Sequence, residues 1–442
     1  MSHRQPRVPT DMIYRLRAVA IMSALAACGL AQAEPMRVAS WNLGWHIATA
    51  ELAPWIAACA KSYTRDAASG TWTLASPDAP GSQRGWDISE YRAKIAGVDL
   101  AVMPPCGVYQ SANHRNIPVT LEAYEKRGAQ LARLLDGSVN ADVIAFQEVS
   151  GTAAVREALG ARSNDYNVCS FDGKYKVQRL AFAWRKKLGD AIEPCAVIHD
   201  LSLPSLPPEK QVRPGLTVAL KLNGKKVRFM TVHLKSGCVS PLDSKRRLLD
   251  GNTGDDDPCP ILQQQVAPLE AAYETLGVGV DAFIMLGDFN RNLAHENARV
   301  EGADPIRSDG VTDLATPRPS GVRTRNLWLE INDGVPASSR SSLLAATCPV
   351  SMAAAAACDA AKHRALSLDE QRALTARTAL GCRNAIGLDH VVVSQSLVVS
   401  VKQVMKVPIG EFGSSLAASL PKYPNPLLAV SDHCPVVLDI DL

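Results

Sequence analysis

The sequence predicts an α/β fold. An apolar run from Ala282 reads as a buried strand and closes on Gly287-Asp288-Phe289-Asn290. Residues 175–184, 193–199 and 216–222 look like strands of an antiparallel set, and Val227 to Val232 like another that ends in His233. Between such runs lie helical patterns, including Leu121 to Leu135 with Leu121, Tyr124, Leu131 and Leu135 on one face. Composition is that of an ordinary globular chain: 442 residues, 47% hydrophobic and 21% charged, ample for a large core. A net charge of +3 neither demands nor excludes a polyanionic partner.

The chain starts with a targeting pattern. Arg4, Arg7, Arg15 and Arg17 precede an apolar stretch, Ala18 to Leu30, that is too short to span a bilayer. Ala31-Gln32-Ala33 has the small-x-small form of a signal-peptidase site, so residues 1–33 read as a signal peptide and Glu34 as the first mature residue. Leu25-Ala26-Ala27-Cys28 also has the form of a lipoprotein box, which would anchor the chain through a lipid on Cys28. Plain secretion, or export to a periplasm, is the favoured reading. No segment reads as transmembrane and no stable protein partner is evident. Of 11 cysteines, removing Cys28 leaves 11 − 1 = 10, an even number that suits disulfides and an oxidising compartment. Cys238 and Cys259 bracket a Gly/Asp-rich loop and are expected to pair; Cys59–Cys106 and Cys169–Cys195 are plausible. The last four cysteines leave the pairing open, with Cys434 a candidate free, buried thiol.

Residues 34–442 read as one domain with insertions. Met36 to Trp41 alternates as a strand and ends in Asn42. Residues 47–115 are weakly periodic and rich in Trp, Pro, Gly and Ser, a disulfide-held insertion. Thr120 can cap the helix that follows. Asp142 to Phe146 is a buried strand ending in Gln147-Glu148. Residues 239–258 form a loop, and Ile261 to Leu276 is helical, kinked or started at Pro268. Residues 334–366 are Ala/Ser-rich and irregular, within an insertion reaching about residue 383. Ser367 and Glu370 match a capping box for a helix to Leu380, stopped by Gly381. Leu388 to Val393 and Pro435 to Ile440 are the last strands.

Several of these strands end in a residue fit for chemistry: Asn42, Glu148, His233, Asp288 with Asn290, Asp389 with His390, and Asp432 with His433. One such end is a turn residue more often than a site. Six in one chain are hard to explain by turns, because loops at one end of a sheet stack are where sites are built.

Ser40-Trp41-Asn42, Phe146-Gln147-Glu148-Val149, Thr231-Val232-His233-Leu234, Leu286-Gly287-Asp288-Phe289-Asn290, Leu388-Asp389-His390-Val391 and Ser431-Asp432-His433-Cys434-Pro435 together resemble the endonuclease/exonuclease/phosphatase superfamily, whose members include deoxyribonuclease I-like nucleases. The resemblance implies a four-layer α/β sandwich: two mixed, mainly antiparallel sheets face to face with helices outside. It implies a divalent-metal-dependent phosphodiesterase or phosphatase. Glu148 would be the main carboxylate on Mg²⁺ or Mn²⁺, with Asn42 and Asp432; Ca²⁺ could serve as a structural ion. His433 would be the general base, oriented by Asp389. Asp288 would position the attacking water or share the base role, and Asn290 and His233 would donate to nonbridging oxygens. Arg179 could reach a substrate phosphate or be a solvated strand residue. Lys235 and Arg291 read as solvated, and His390 as packing or surface.

Among substrates, nucleic acid, DNA or RNA, fits an exported member. A sphingomyelinase-like relative would want an exposed apolar or aromatic loop, for which Trp55, Trp72 and Trp86 are the candidates unless they are core. A phosphatase is a further alternative; one acting on inositol phosphates would want a dense basic pocket, and no clustered Lys/Arg run is present. A non-enzymatic, toxin-like subunit predicts loss of a core residue, and none is missing.

Overall fold

A computed structural model describes residues 35–90, 93–109, 118–173, 176–241, 257–298, 327–332, 334–349, 352–410 and 429–442. The expected signal peptide and the lipoprotein box at Cys28 lie outside these residues.

The strands, in chain order, are β1 (Met36–His46), β2 (Ser62–Arg65), β3 (Trp72–Leu74), β4 (Gln83–Arg84), β5 (Val143–Val149), β6 (Tyr166–Ser170), β7 (Arg179–Arg185) and β8 (Glu193–Ile198). They continue as β9 (Gly215–Leu222), β10 (Lys225–His233), β11 (Ala282–Asp288), β12 (Ser341–Leu344), β13 (Asp389–Ser394), β14 (Val401–Lys406) and β15 (Val436–Ile440). Two six-stranded sheets form, in the orders β14-β15-β1-β5-β7-β6 and β12-β13-β11-β10-β9-β8. Each is mixed and mainly antiparallel, with one parallel pair at its centre: β1 with β5, and β10 with β11.

Strands buried on both faces read as continuous apolar runs, and these do. Val38, Val143, Ala145 and Phe182 of the first sheet pack against Leu216, Phe229, Ile284 and Val391 of the second in one core. The outer face of the first sheet, through Ala39, Trp41, Ile144 and Phe146, receives the helices Leu121–Leu134, Thr152–Leu159 and Met352–Ala360. The outer face of the second, through Met230, Val232, Phe283 and Met285, receives the helix Cys259–Leu276. The layers are therefore helix, sheet, sheet, helix, as the resemblance implies.

Between β1 and the helix at Leu121, residues 47–109 carry the small β3-β2-β4 sheet and an aromatic core of their own. Trp55, Trp72 and Trp86 are all buried in it, and Cys59–Cys106 closes it.

Several local expectations are corrected. Residues 334–366 are not irregular throughout: Ser341–Leu344 pairs with β13, and the alanine run Met352–Ala360 is a helix clamped by Cys348–Cys358. Its low apolar contrast hides it from a pattern search, whereas alanine's helix propensity explains it. The helix capped by Ser367 ends at Thr375, because Ala376 turns extended. Leu380 instead accepts hydrogen bonds from the amides of Ile409 and Gly410. Cys434 is not free; it is bonded to Cys382. The pairs Cys238–Cys259, Cys59–Cys106 and Cys169–Cys195 all form. Among the described residues no helix is long and apolar enough to cross a membrane.

Candidate active site

The strand register assembles the site. In the second sheet His233 pairs with Asp288 across β10 and β11, and Asp288 pairs with Asp389 across β11 and β13. Three polar side chains thus stand in a row at one end of three adjacent strands. Opposite them, β1 and β5 put Asn42 beside Gln147, with Glu148 next. Gly287 makes the close approach of β10 and β11 possible: its φ is +146°, and a Cβ there would fall 2.3 Å from the Val232 carbonyl oxygen.

Backbone strain gathers here. Trp45, Glu148 and Asn290 all have left-handed φ values, +60°, +55° and +50°, without being glycine. Such residues cost on the order of 1–3 kcal/mol each and persist where surrounding structure dictates them. Glu148 is held by the amide of Trp45, 3.0 Å from Oε2. Asn290 does not continue the strand alternation. Its amide donates to Asp288 Oδ1 at 2.8 Å, an Asx-type turn, and its carboxamide donates to the Leu234 carbonyl at 3.1 Å.

His433 lies with Nδ1 3.1 Å from both oxygens of Asp389. Its Nε2 lies 3.7 Å from Asp288 Oδ2. Asp389 has a second partner, the Lys406 ammonium, 2.8 Å from Oδ2 and fully buried. Burial alone pushes the Asp389 carboxyl up, but Lys406 and His433 bring it well below the usual carboxylate range. Burial alone would lower the His433 imidazole, but Asp389 and Asp288 overcome it and raise the ring to about 10. Asp288 is pushed up to about 6, chiefly by burial, with His433 opposing and Asp389 adding. Two carboxylates of opposite disposition flank one histidine, a pattern that separates acid and base roles.

Asp288 Oδ2 also accepts from the Asn42 carboxamide at 3.0 Å and lies 3.5 Å from His233 Nε2. His233 Nε2 is 3.5 Å from Glu148 Oε1 as well. Glu148 and Asp288 are therefore carboxylates beside His233. Asp432, at the mouth, faces Gly44 and is held by Asn384 Nδ2 at 2.9 Å and by Arg383 at 3.1 Å.

Two sets of groups could hold a cation. Asp288, Asp389 and His433 approach one another closely enough for one ion. That set fits poorly, because both Asp389 oxygens face His433 and one carries the Lys406 ammonium. Asn42, Glu148 and Asp432 also carry hard oxygen donors, with the exposed Arg383 3.1 Å from Asp432 and the buried His233 3.5 Å from Glu148. Hard oxygens of this kind are what a cation such as Mg²⁺ takes.

Arg179 is largely buried, with its guanidinium on the Ser150 carbonyl at 3.1 Å, one residue beyond the Glu148 strand. Arg291 is not solvated: it is buried, ion-paired to Glu296 and bonded to the Cys238 carbonyl. Lys235 is half-buried. His390 is buried packing, near the Arg291 and Gly387 carbonyls. Sequence reasoning missed Lys406 and Asn384. Lys406 breaks an otherwise apolar strand end, a weak signal; Asn384 has none.

Residues 111–433 match the sequence pattern described as the Endonuclease/Exonuclease/phosphatase family. No curated protein matches the chain. Among solved structures, the human Nocturnin catalytic domain with bound sulfate is similar over 92% of this chain and 94% of its own, at 12% identity and a TM-score of 0.41. A mannosyl-6-phosphatase of Bacteroides thetaiotaomicron is similar over 72% and 91%, at 14% identity and a TM-score of 0.37. D. rerio TDP2 complexed with single strand DNA product is similar over 72% and 93%, at 12% identity and a TM-score of 0.34.

Proposed function

The chain belongs to the endonuclease/exonuclease/phosphatase family of phosphoester hydrolases, and from that premise we infer that it is an exported, divalent-metal-dependent phosphodiesterase acting on nucleic acid. The observation that carries the reading is the Lys406–Asp389–His433 line, which ends with Nε2 turned toward Asp288. In this reading His433 is the base and Asp288, 3.7 Å from its Nε2, holds the water, with Asn42, Glu148 and Asp432 as the oxygen ligands of the metal.

A divalent cation on Asn42, Glu148 and Asp432 would neutralise charge developing on the phosphoryl group and leaving oxygen, and would lower the proton affinity of His433. His433 then takes a proton at Nε2 from the attacking water, while Asp389 keeps the other proton on Nδ1 and stabilises the imidazolium. Asp288 orients that water. His233 and Asn290 are the groups assigned to donate to nonbridging oxygens, and Arg179, which is also ion-paired to Asp172 at 3.1 Å, is the group assigned to a flanking phosphate.

Burial of Trp55, Trp72 and Trp86 removes the candidates for a membrane-seeking aromatic loop and favours nucleic acid over phospholipid. The five disulfides, which use all ten cysteines after Cys28, support an oxidising destination. The test is cleavage of linear and of circular DNA, and of RNA, with Mg²⁺ and with EDTA. Cleavage of circular DNA marks an endonuclease. Turnover of sphingomyelin but of no nucleic acid would keep the chemistry and overturn the substrate.

A further inference from the structure

Asn384 occupies a position that the roles above leave unused. It is half-buried and directly touches two of the site's working groups. Its Nδ2 lies 2.9 Å from Asp432 Oδ2 and 3.1 Å from His433 Nε2. The orientation of the carboxamide is chemically fixed, because a carboxylate only accepts and so must face the NH₂ end. The same nitrogen lies 3.1 Å from Nε2, the atom that receives the proton of the attacking water.

The segment carrying Asn384 is pinned to the segment carrying His433. The Asn384 amide donates to the Asp432 carbonyl at 2.7 Å, and Asn384 and His433 form a parallel bridge. Two residues before Asn384, Cys382 is bonded to Cys434, the residue after His433. Backbone and disulfide together hold the Asn384 backbone in place, and Asp432 orients its carboxamide. A polar group placed this firmly beside the base is preorganised, and such donors act on charge that develops in the transition state.

We propose that Asn384 is a substrate-contacting residue that donates an N–H to a nonbridging phosphoryl oxygen. In the free protein the Asn384 carboxamide nitrogen lies beside Nε2. When water takes that place, the N–H turns to the phosphoryl oxygen next to it while the other hydrogen stays on Asp432. No proton is transferred by the amide. The inference rests on the phosphodiesterase reading and adds a donor to it.

The test uses the full mature chain with Mg²⁺, bis(p-nitrophenyl) phosphate as the turnover probe and inorganic phosphate as the binding probe. Asn384→Ala removes the donor, and Asn384→Asp keeps the shape while placing a negative charge against phosphate. Both variants retain the backbone bond and the disulfide. Asn384→Ala is expected to lower kcat/KM about 100-fold and to weaken calorimetric binding of inorganic phosphate about 10-fold. Asn384→Asp should be worse in both, with unfolding midpoints close to the parent. Phosphate binding unchanged in both folded variants, whatever happens to rate, would overturn the assignment. An inactive parent chain would overturn the phosphodiesterase reading itself, and this donor with it.

Discussion

Lys406 and Asp389 form an ion pair, Nζ to Oδ2 at 2.8 Å, with the side chains 0% and 1% exposed. It lies behind the histidine rather than in the open site. The ammonium also donates to the Cys434 carbonyl at 3.2 Å, so it ties β14 to the segment holding His433. Asp389 is thus ionised and fixed before any substrate arrives.

Breaking this pair from one side leaves a buried carboxylate with only His433 to balance it. Lys406→Met should therefore destabilise by about 3 kcal/mol, read from denaturant unfolding. Adding Asp389→Asn should restore part of that loss, because the orphaned charge is gone. Equal and additive losses would remove the coupling.

His433 and Asp389 should act as one unit in turnover. His433→Ala is expected to lower kcat on the order of 10²–10⁴-fold. Asp389→Asn should approach that loss by holding the wrong tautomer, and the double variant should be little worse than His433→Ala. Multiplicative losses in folded protein would argue against a coupled pair.

Glu148→Gln should keep the fold and weaken the metal. The amide can still accept the Trp45 N–H at Oε, but the charge is lost. Turnover at low Mg²⁺ should collapse and recover only partly at high Mg²⁺, and EDTA should abolish it in the parent. Unchanged activity in EDTA would remove the metal assignment.

The fold was legible wherever an apolar run ended in a polar residue. Asn42, Glu148, His233, Asp288 and Asp389 were found because burial on both faces makes their strands uniformly apolar and the exit abrupt. The site's spatial order, His233 beside Asp288 beside Asp389, was not legible, because strand register is set by pairing partners distant in sequence. Lys406 was missed because a buried lysine reads as a surface one until its partner is known. Asn384 was missed because its place comes from Cys382–Cys434, a pairing that cysteine spacing left open. At Asn290 a side-chain turn onto Asp288 takes the place of strand geometry, which a residue pattern does not reveal.

The Cys238–Cys259 bridge joins the end of the His233 segment to the start of the helix Cys259–Leu276. Its loss, as Cys238→Ser with Cys259→Ser, should cost roughly 3 kcal/mol in the chain-entropy account. Thermal unfolding in oxidised and reduced buffer measures it. A double variant as stable as the parent would show that packing alone holds this junction.

Metal-free protein should lose stability as pH rises above neutrality, and His433 should be the reason. Its ring is raised from 6.5 to about 10 in the folded state. The folded state therefore holds a proton that the unfolded state releases, so the contribution is complete below pH 6.5 and fades as pH climbs through about 10. Asp288, raised to about 6, adds a loss of the same sign between about pH 4 and 6. Asp389 works the other way: its lowered carboxyl contributes above the ordinary aspartate range and is lost in acid. The clean measurement is the difference in unfolding free energy between parent and His433→Gln in EDTA, followed from pH 6 to 10. The parent's advantage should shrink steadily across that range, since glutamine cannot titrate. A flat difference would mean that the folded protein leaves the His433 ring at its ordinary 6.5, and that Asp389 is balanced by Lys406 alone.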